Sequence, residues 1–213
     1  MKSRADAILK PKQADYLERL TPARDRLLAR MEKLAAKHGH PIADPEVAQL
    51  ERILVRALSP RHIIEVGTNI GYSVIAMGRE CGPEALLETI ELNEQTLATA
   101  TEFVAQAKLA CEVRFHQGAA LDVLPRLAGP FDFAFIDCVK TEYEDYLDAL
   151  LPKMKAGATI VCDNLLWGGA VAAGKHDPST DALRKFNRRI MTDPRLTSIV
   201  LPLGDGTGIS IVK

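Results

Sequence analysis

Apolar and polar positions alternate with two different periods along the chain, and each period is typical of one kind of secondary-structure element. Short apolar runs with strand character recur along it, separated by helical segments and by turns such as Gly82-Pro83 and Gly129-Pro130. Strands that alternate with helices indicate a mostly parallel sheet with helices on both faces. The predicted strands are His62 to Val66, Leu86 to Glu91, Glu112 to Phe115, Asp132 to Ile136 and Thr159 to Cys162.

Two helices are predicted before the first strand. Thr21-Pro22 has the form of an N-cap with a first-turn proline, and Gly39 is a stop signal, so we expect a helix over residues 22–38. Asp44-Pro45 repeats the start signal, and Ser59-Pro60 ends the second helix. The apolar positions that give the second helix its spacing are Val47, Leu50, Leu54 and Leu58.

The end of the sequence predicts one more helix and a β-hairpin. The helix spans Thr180 to Met191, and the hairpin joins Thr197 to Leu203 with Thr207 to Val212 through Gly204-Asp205-Gly206. No repeat or linker divides the chain, so we expect a single domain over residues 1–213. The expected fold is α/β: a Rossmann-like, doubly wound, mostly parallel seven-stranded sheet with a C-terminal antiparallel hairpin and extra N-terminal helices.

Residues 1–40 form an N-terminal extension that is more than such a sheet needs. Apolar residues are spread along amphipathic segments there. They are Tyr16, Leu20, Leu27, Met31 and Leu34. We expect this extension either to cover a substrate site or to form the contact of a homodimer, and the sequence leaves both alternatives open.

Composition and charge exclude several classes of protein. The 213 residues carry 27 Lys plus Arg against 28 Asp plus Glu, and a formal net charge of -1 gives no general attraction to nucleic acid or anionic membranes. Met1 to Lys12 lacks the apolar core of a signal peptide, and no apolar stretch approaches about 18 residues. The four cysteines lack zinc-site spacing. We expect a cytoplasmic protein with reduced, mostly buried thiols.

Acidic side chains stand at the carboxyl ends of four predicted strands, where ligands bind in a doubly wound sheet. These side chains are Glu65, Glu91, Asp137 and Asp163. Like charges this close are costly unless a cation or ligand hydroxyls compensate them. The sequence therefore predicts a ligand site at this edge.

The turn after the first strand indicates which cofactor binds there. Gly67 and Gly71 give the spacing G-x-x-x-G, whereas a dinucleotide fingerprint needs a glycine at Asn69. Glu65 would repel a pyrophosphate, so a cofactor with a sulfonium and an ammonium group fits better. Glu91 ends the next strand, where a carboxylate can accept hydrogen bonds from ribose hydroxyls. These features favour S-adenosylmethionine (SAM), although the glycines alone suit a plain strand-to-helix turn and Glu91 a solvated strand end.

A second pair of strand ends supplies candidate metal ligands. Asp137 follows an apolar strand, and Asp163-Asn164 follows the next one. Two carboxylates and an amide oxygen are hard ligands that suit Mg²⁺, with Ca²⁺ and Mn²⁺ also possible. The alternatives are that Asp163-Asn164 only begins a turn and that Asp137 only caps a helix near Thr141.

Five ordered blocks over roughly residues 40–213 resemble the cation-dependent O-methyltransferases, which include catechol and caffeoyl-coenzyme A O-methyltransferases. The blocks are Glu65-x-Gly67-Thr68-x-x-Gly71-Tyr72-Ser73, Thr89-Ile90-Glu91, Gly118-Ala119-Ala120, Phe135-Ile136-Asp137 with Lys140 and Tyr143, and Asp163-Asn164-x-x-Trp167-x-Gly169. The resemblance implies metal ligands at Asp137, Asp163 and Asn164. It implies cofactor contacts at Glu65, Gly67, Thr68, Ser73, Glu91, Ala120 and Asp137, and a backbone contact near Ala43.

The resemblance also suggests a catalytic base and a substrate wall. Lys140 stands three residues after Asp137, and the catechol branch of the family places a lysine there as the base; the alternative is a solvated lysine at a helix start. Trp167 either contacts an aromatic substrate or belongs to the core. Val139 and Gly168 replace an acid and an asparagine of the plant branch, which argues against caffeoyl-coenzyme A as substrate.

We therefore expect a SAM- and Mg²⁺-dependent O-methyltransferase that acts on one hydroxyl of a vicinal dihydroxy aromatic molecule. The resemblance also implies an alternative, since some bacterial relatives methylate a hydroxylated uridine in transfer RNA. Four basic residues on one helix face keep this alternative open. These are Arg184, Lys185, Arg188 and Arg189, and such a face is usually only solvated. A non-catalytic nucleotide-binding scaffold is a third hypothesis. Cys138 is either a reactive thiol or a buried neighbour of Asp137.

Overall fold

Seven strands form one sheet in the structure, a computed structural model that describes residues 11–22 and 25–213. They are β1 (His62–Val66), β2 (Leu86–Glu91), β3 (Glu112–Gln117), β4 (Phe131–Ile136), β5 (Met154–Cys162), β6 (Leu196–Leu201) and β7 (Thr207–Val212). Their order is β3-β2-β1-β4-β5-β7-β6, and only the pairs of β7 with β5 and β6 are antiparallel. The expected fold is confirmed. The strand order reverses at β1, so a crevice opens beyond its carboxyl end.

Helices cover both faces of this sheet. The helices are α1 (Pro11–Leu20), α2 (Arg26–His38), α3 (Pro45–Leu58), α4 (Tyr72–Gly78), α5 (Glu94–Ala107), α6 (Ala120–Val123), α7 (Tyr143–Leu150) and α8 (Pro178–Thr192). One core cluster joins the sheet to α2, α3, α4 and α5, and the other joins it to α6, α7 and α8. Neighbouring residues of one strand serve opposite faces, as Ile63 and Ile64 do. Both faces are buried, which explains the almost continuous apolar runs of the parallel strands.

Part of the N-terminal extension belongs to this core. Met31 of α2 is fully buried, whereas Tyr16, Leu17 and Leu20 of α1 are exposed. Residues 1–10 of the extension lie outside the described residues. Whether the extension covers a substrate or forms a dimer contact stays a prediction. Within the described ranges, none of the helices is long and apolar enough to cross a membrane.

The predicted start of α2 is wrong. The helix begins at Arg26 rather than at residue 22, because Asp25 is its N-cap and its Oδ1 accepts the N–H groups of Leu27 at 2.8 Å and Leu28 at 3.0 Å. Thr21 instead closes α1, since its hydroxyl donates to the carbonyl of Leu17 at 3.2 Å. Pro22 therefore does not mark the start of α2.

The predicted buried face of α3 is also partly wrong, although its N-cap Asp44 and its end at Leu58 are as expected. The buried residues are Val47, Ala48, Glu51 and Val55, and Leu58 is exposed. Val47, Glu51 and Val55 follow one another at a spacing of four, so they lie on one face of the helix. A carboxyl group therefore occupies a core position that the apolar pattern did not indicate.

Several other boundaries differ from the predicted ones. Strand β5 begins at Met154 rather than at Thr159, and its first residues are mostly exposed and so lack the apolar signal. Helix α8 begins at Pro178, since Asp177 caps it by accepting the N–H group of Thr180 at 3.0 Å. The remaining shifts are at the ends of β3, β6 and α8 and at the starts of β4 and β6.

A buried carboxylate joins the three strands on one side of the sheet. Oε1 of Glu88 in β2 lies 2.7 Å from Nε2 of His62 in β1, and Oε2 lies 2.6 Å from Nε2 of His116 in β3. Burial alone would raise the pKa of Glu88, but the hydrogen bonds from His62 and His116 outweigh it and lower the pKa. Glu88 thus stabilises the pairing of β1, β2 and β3.

We expect Glu88→Gln to lower the free energy of unfolding by about 1 kcal/mol at pH 7, because the charge-assisted hydrogen bonds are lost. The folded pKa of Glu88 lies below the unfolded one, so its contribution is present above the unfolded pKa and disappears as the pH falls through the folded pKa. Thermal unfolding should therefore show the variant and the parent chain converging in acid. An equal loss at all pH values would contradict this. Glu102→Gln on the exposed face of α5 is the control.

Candidate active site at the carboxyl ends of the strands

The turn between β1 and α4 is packed directly against the end of β4. Gly67 has a φ of 107°, and a Cβ atom at this position would lie 2.2 Å from the backbone oxygen of Asp137. The N–H groups of Gly67 and Thr68 donate to the carbonyl of Ile90, at 3.1 and 3.0 Å. Glycine is therefore required at residue 67 by the protein's own packing. Gly71, with a φ of 84°, is the N-cap of α4.

Glu65 stabilises this turn through hydrogen bonds to side chains of α4 and β2. It is fully buried, and its two carboxylate oxygens accept hydrogen bonds from the hydroxyls of Ser73 and Thr89. The Oγ1 atoms of Thr89 and Thr68 are 2.5 Å apart, which extends the network to the turn. Burial raises the pKa of Glu65 to about 7 against the opposing effect of the two hydroxyls. Its described contacts are thus within the protein, and a direct cofactor contact stays a prediction.

Glu91, the predicted ribose contact, accepts two backbone hydrogen bonds at the crevice, and its contact with a ribose stays a prediction. Its Oε2 accepts the N–H group of Asn69 at 2.9 Å, and its Oε1 accepts that of Asn93 at 2.9 Å. A carboxylate has about four acceptor positions, so further acceptors remain for ligand hydroxyls. The side chain is half-buried at the crevice, and Ala120 begins α6 beyond the neighbouring strand β3.

The segment before α3 also reaches this crevice. Nδ2 of Asn69 donates to the carbonyl of Pro41 at 3.1 Å, which holds the segment against the turn after β1. Ala43, two residues after Pro41, is buried. The predicted cofactor residues on β1, β2, α6 and this segment therefore all lie around one crevice.

The ends of β4 and β5 bring the predicted metal ligands together. Ile136 and Cys162 are register partners, so Asp137 and Asp163-Asn164 follow at the same level. Asp163 is buried, and its Oδ1 accepts the N–H group of Asn164 at 2.7 Å, with Asn164 at a φ of 63°. Two carboxylates and one amide fit a hard divalent cation by donor type. In residues 11–22 and 25–213, no group of three or more His, Cys, Asp or Glu side chains is arranged to hold a metal ion, so the metal stays a prediction.

Lys140 is not a solvated lysine. Its side chain is 9% exposed, and Nζ lies 2.6 Å from Oδ1 of Asp137 and 2.8 Å from Oη of Tyr143. Nζ also lies 5.0 Å from the centre of the Tyr143 ring and 5.9 Å from that of Trp167. Asp137 caps no helix, because α7 begins at Tyr143 with Glu142 as its N-cap. The ammonium group therefore points into the edge that Asp137 lines.

Tyr143 connects Lys140 to the second metal-ligand loop. Its hydroxyl donates to the backbone oxygen of Asp163 at 3.0 Å while it accepts from Nζ of Lys140. Burial raises the pKa of Tyr143 well above its usual value, and the charge of Asp137 adds to this effect, so the hydroxyl remains a donor. The sequence showed Tyr143 in the same block as Lys140 but assigned it no role.

Trp167 lies on the loop that follows Asp163-Asn164 and is not a core residue, since it is 36% exposed. Asp205, in the turn between β6 and β7, holds this loop. Its Oδ1 accepts the N–H group of Gly168 at 2.7 Å, and its carbonyl accepts that of Leu166 at 2.9 Å. Asp205 is buried and was missed because its partner is distant in sequence.

The basic face of α8 is largely neutralised. Arg184 lies 2.9 Å from Asp181. Lys185 lies 2.6 Å from Glu144, and Arg189 forms a bidentate pair with Asp148. The opposite face buries Leu183, Phe186 and Ile190. Most of the predicted basic face is therefore balanced by acids of the same chain.

The four cysteines are free thiols, and Cys138 is half-buried. Burial raises the pKa of Cys138 and of Cys162, so both favour the neutral thiol. This supports the interpretation of Cys138 as a packing neighbour of Asp137.

The sheet order, the glycine turn and the acidic crevice together define the class of SAM-dependent methyltransferases. A family model described as O-methyltransferase matches residues 21–213, and the chain belongs to this family. It is 31% identical over 201 residues to a catechol O-methyltransferase of Niastella koreensis, covering 89% of this chain and 90% of the relative. It is 29% identical over 200 residues to a caffeoyl-CoA O-methyltransferase of Mesembryanthemum crystallinum, covering 87% and 79%.

Solved structures agree with this assignment. The O-methyltransferase TomG of Streptomyces achromogenes, in complex with SAM, is 30% identical with a TM-score of 0.83, covering 93% of this chain and 94% of that one. An O-methyltransferase of Bacillus cereus, in complex with SAH, is 27% identical with a TM-score of 0.84, covering 93% and 96%. The recognition of an O-methyltransferase family from the sequence is confirmed.

We expect Gly67→Ala to destabilise the protein by about 2 kcal/mol or more, because a positive φ and the contact with the Asp137 carbonyl both oppose a Cβ atom. Gly157→Ala is the matched control, since Gly157 has a φ of 81° but nothing within 4 Å of the added atom. Denaturant unfolding measures both. Equal losses would show that the Asp137 contact costs nothing.

Proposed function

We propose that this enzyme uses SAM and a divalent cation to methylate one hydroxyl of a vicinal dihydroxy aromatic molecule. The observation that carries the proposal is the convergence of Lys140, Asp137 and Asp163-Asn164 at adjacent strand ends. An amine, two carboxylates and an amide there supply a candidate base next to candidate metal ligands. A catechol O-methyltransferase among the relatives supports this substrate class.

The cofactor would lie across the switch point of the sheet. Glu91 would accept hydrogen bonds from the ribose hydroxyls, with Gly67, Thr68 and Ala120 around the adenosine part. The methionine part would then extend over β1 toward Ser73 and Asp137. This orientation directs the sulfonium methyl toward β4 and β5, where Lys140 lies.

The oxygen atoms of Asp137, Asp163 and Asn164 would hold the divalent cation. Mg²⁺ is the first choice because all three donors are oxygen, with Ca²⁺ and Mn²⁺ as alternatives. When bound, such a cation lowers the pKa of a chelated hydroxyl and fixes its orientation. The cation would also compensate the negative charge of the two carboxylates.

In its neutral amine form, Lys140 would take the proton of the attacking hydroxyl at Nζ and become the ammonium ion. Asp137 and Tyr143 hold this nitrogen in place by the two short contacts described above. The exposed ring of Trp167, whose centre lies 5.9 Å from Nζ, would form a wall for an aromatic substrate. In-line attack on the methyl carbon then needs only that the substrate oxygen and the sulfonium be held on opposite sides of it.

The plant caffeoyl-CoA substrate is less suitable for this site. Val139 stands where the plant branch has an acid, and Gly168, with a φ of 59°, stands where it has an asparagine. The transfer RNA alternative is not favoured either, because acids of the same chain neutralise most of the basic face of α8. We therefore retain the small-molecule substrate.

We expect dialysis against a chelator to abolish methyl transfer to a catechol and added Mg²⁺ to restore it, because without the cation nothing would chelate the catechol hydroxyls and lower the pKa of one of them. The measurement is turnover with SAM, with Ca²⁺ and Mn²⁺ as comparisons. Asp163→Asn should raise the Mg²⁺ concentration for half-maximal rate by at least tenfold. Full turnover in excess chelator would refute the metal requirement.

We expect Lys140→Ala to lower kcat by about 10²-fold or more, because a general base is removed, while the Mg²⁺ concentration for half-maximal rate changes little. Steady-state kinetics separates the two effects. Lys185→Ala, which removes an exposed lysine from an ion pair with Glu144, is the control and should change neither. Unchanged turnover of Lys140→Ala would exclude Lys140 from the chemistry.

A further inference from the structure

A buried carboxylate in the hairpin turn holds both neighbours of Trp167. Asp205 is 5% exposed, and its Oδ1 accepts the N–H group of Gly168 at 2.7 Å. Its backbone oxygen accepts the N–H group of Leu166 at 2.9 Å. Hydrogen bonds from N–H groups to a carboxylate are stronger than those between neutral groups. Asp205 therefore fixes the main chain on either side of the indole.

The backbone at Trp167 has a conformation that needs such an anchor. Trp167, Gly168 and Gly169 have φ angles of 49°, 59° and 80°. Glycine adopts the left-handed region freely, but tryptophan carries a Cβ atom and is strained there. Strain of this kind persists only where the surrounding structure imposes it. The hydrogen bonds from the hairpin turn are the contacts that impose it here.

Helix α8 holds the two ends of the same loop. Nδ2 of Asn187 donates to the carbonyl of Leu165 at 2.8 Å. The guanidinium group of Arg184 donates to the carbonyls of Ala170 at 3.0 Å and Val171 at 2.8 Å. These bonds fix where the loop leaves β5 and where it turns toward α8. The middle of the loop, which carries the indole, is held from the hairpin turn.

The position of Trp167 matters because its ring lies beside the candidate base. Nζ of Lys140 is 5.9 Å from the centre of the ring, within the range of a cation–π interaction. The ring is 36% exposed, so part of its surface is open to a ligand. A wall that must first be ordered weakens binding, whereas one held in place beforehand does not. The group that fixes the ring therefore affects which substrates bind.

We propose that Asp205 is a specificity-determining residue of the substrate site, which acts by positioning Trp167 beside Lys140 through the main chain of the loop. The proposal rests on the proposed function for its substrate, a vicinal dihydroxy aromatic molecule. The positioning itself requires neither a metal nor SAM, because the contacts that produce it lie within the chain. Asp205 acts through Trp167, so it is a positioning residue and not a catalytic one.

The first part of the test uses the fluorescence of Trp167, the sole tryptophan of the chain. In Asp205→Ala the bond to Gly168 is lost, so the anisotropy of the indole should fall and its quenching constant with acrylamide should rise at least twofold. Asp205→Asn keeps an oxygen that can accept this bond and should restore at least half of both changes. Asp193→Ala is the matched control and should leave both values unchanged. Asp193 also accepts a backbone N–H group, that of Arg195 at 3.0 Å, but at the other end of β6.

The second part of the test connects the ring to the substrate. In Asp205→Ala, SAH affinity measured by calorimetry should change less than twofold, because the cofactor crevice lies on other strands. With SAM, Mg²⁺ and a catechol, KM for the catechol should rise at least fivefold. The value of kcat should fall less than threefold, because Lys140 keeps its contacts with Asp137 and Tyr143. A purely structural role would instead lower SAH affinity and kcat as much as it raises KM.

Four outcomes would overturn the proposal. They are unchanged fluorescence in Asp205→Ala, equal changes in Asp193→Ala, a parent-like KM despite a mobile indole, and a loss of SAH affinity as large as the rise in KM. If Asp205→Ala fails to fold, Asp205→Glu keeps the carboxylate but moves its acceptor by one methylene group, and the same measurements apply. Absence of catechol turnover in the parent chain would refute the proposed function, and the fluorescence would still decide whether Asp205 positions Trp167.

Discussion

Repulsion among carboxylates at one edge of the sheet is the constraint on which the site depends. Glu65, Glu91, Asp137 and Asp163 stand there because parallel strands place all their carboxyl ends on the same side. The protein compensates each charge differently. Hydroxyls donate to Glu65, backbone N–H groups to Glu91 and Asp163, and an ammonium group to Asp137. The acceptors that remain are those that a cationic, hydroxyl-bearing cofactor and a divalent cation would use.

Backbone contacts also link the neighbouring strand ends at this edge. The Gly67 turn packs on the carbonyl of Asp137, and the N–H group of Asp137 donates to the carbonyl of Val66 at 3.0 Å. The N–H group of Asp163 donates in turn to the carbonyl of Ile136 at 3.1 Å. The candidate cofactor crevice at β1 and the candidate metal ligands at β4 and β5 are therefore joined by backbone contacts along one edge. A change at the glycine turn would therefore act directly on the backbone of Asp137, with which Gly67 is in contact.

Much of this could be predicted from the sequence, because the strands buried on both faces carry nearly uninterrupted apolar runs. The bounds of β1, β2 and β7 were predicted without error. Once the strands are known, the acids at their ends must share one edge, so a site there could also be predicted. The start of α2 and the buried face of α3 could not be predicted from the sequence. Asp25 outcompetes Thr21 as a cap, and Glu51 occupies a core position that apolar spacing cannot reveal.

Contacts between residues that are far apart in the chain could not be predicted from the sequence for a related reason. Asp205 binds the N–H group of Gly168 across 37 residues of chain, and nothing local to either residue indicates the pairing. During synthesis, the network of Glu65, Ser73 and Thr89 is complete within 25 residues or so, whereas the Trp167 loop must wait for the hairpin turn that anchors it. A nascent chain would thus complete the hydrogen bonds around Glu65 before it could fix the loop that carries Trp167.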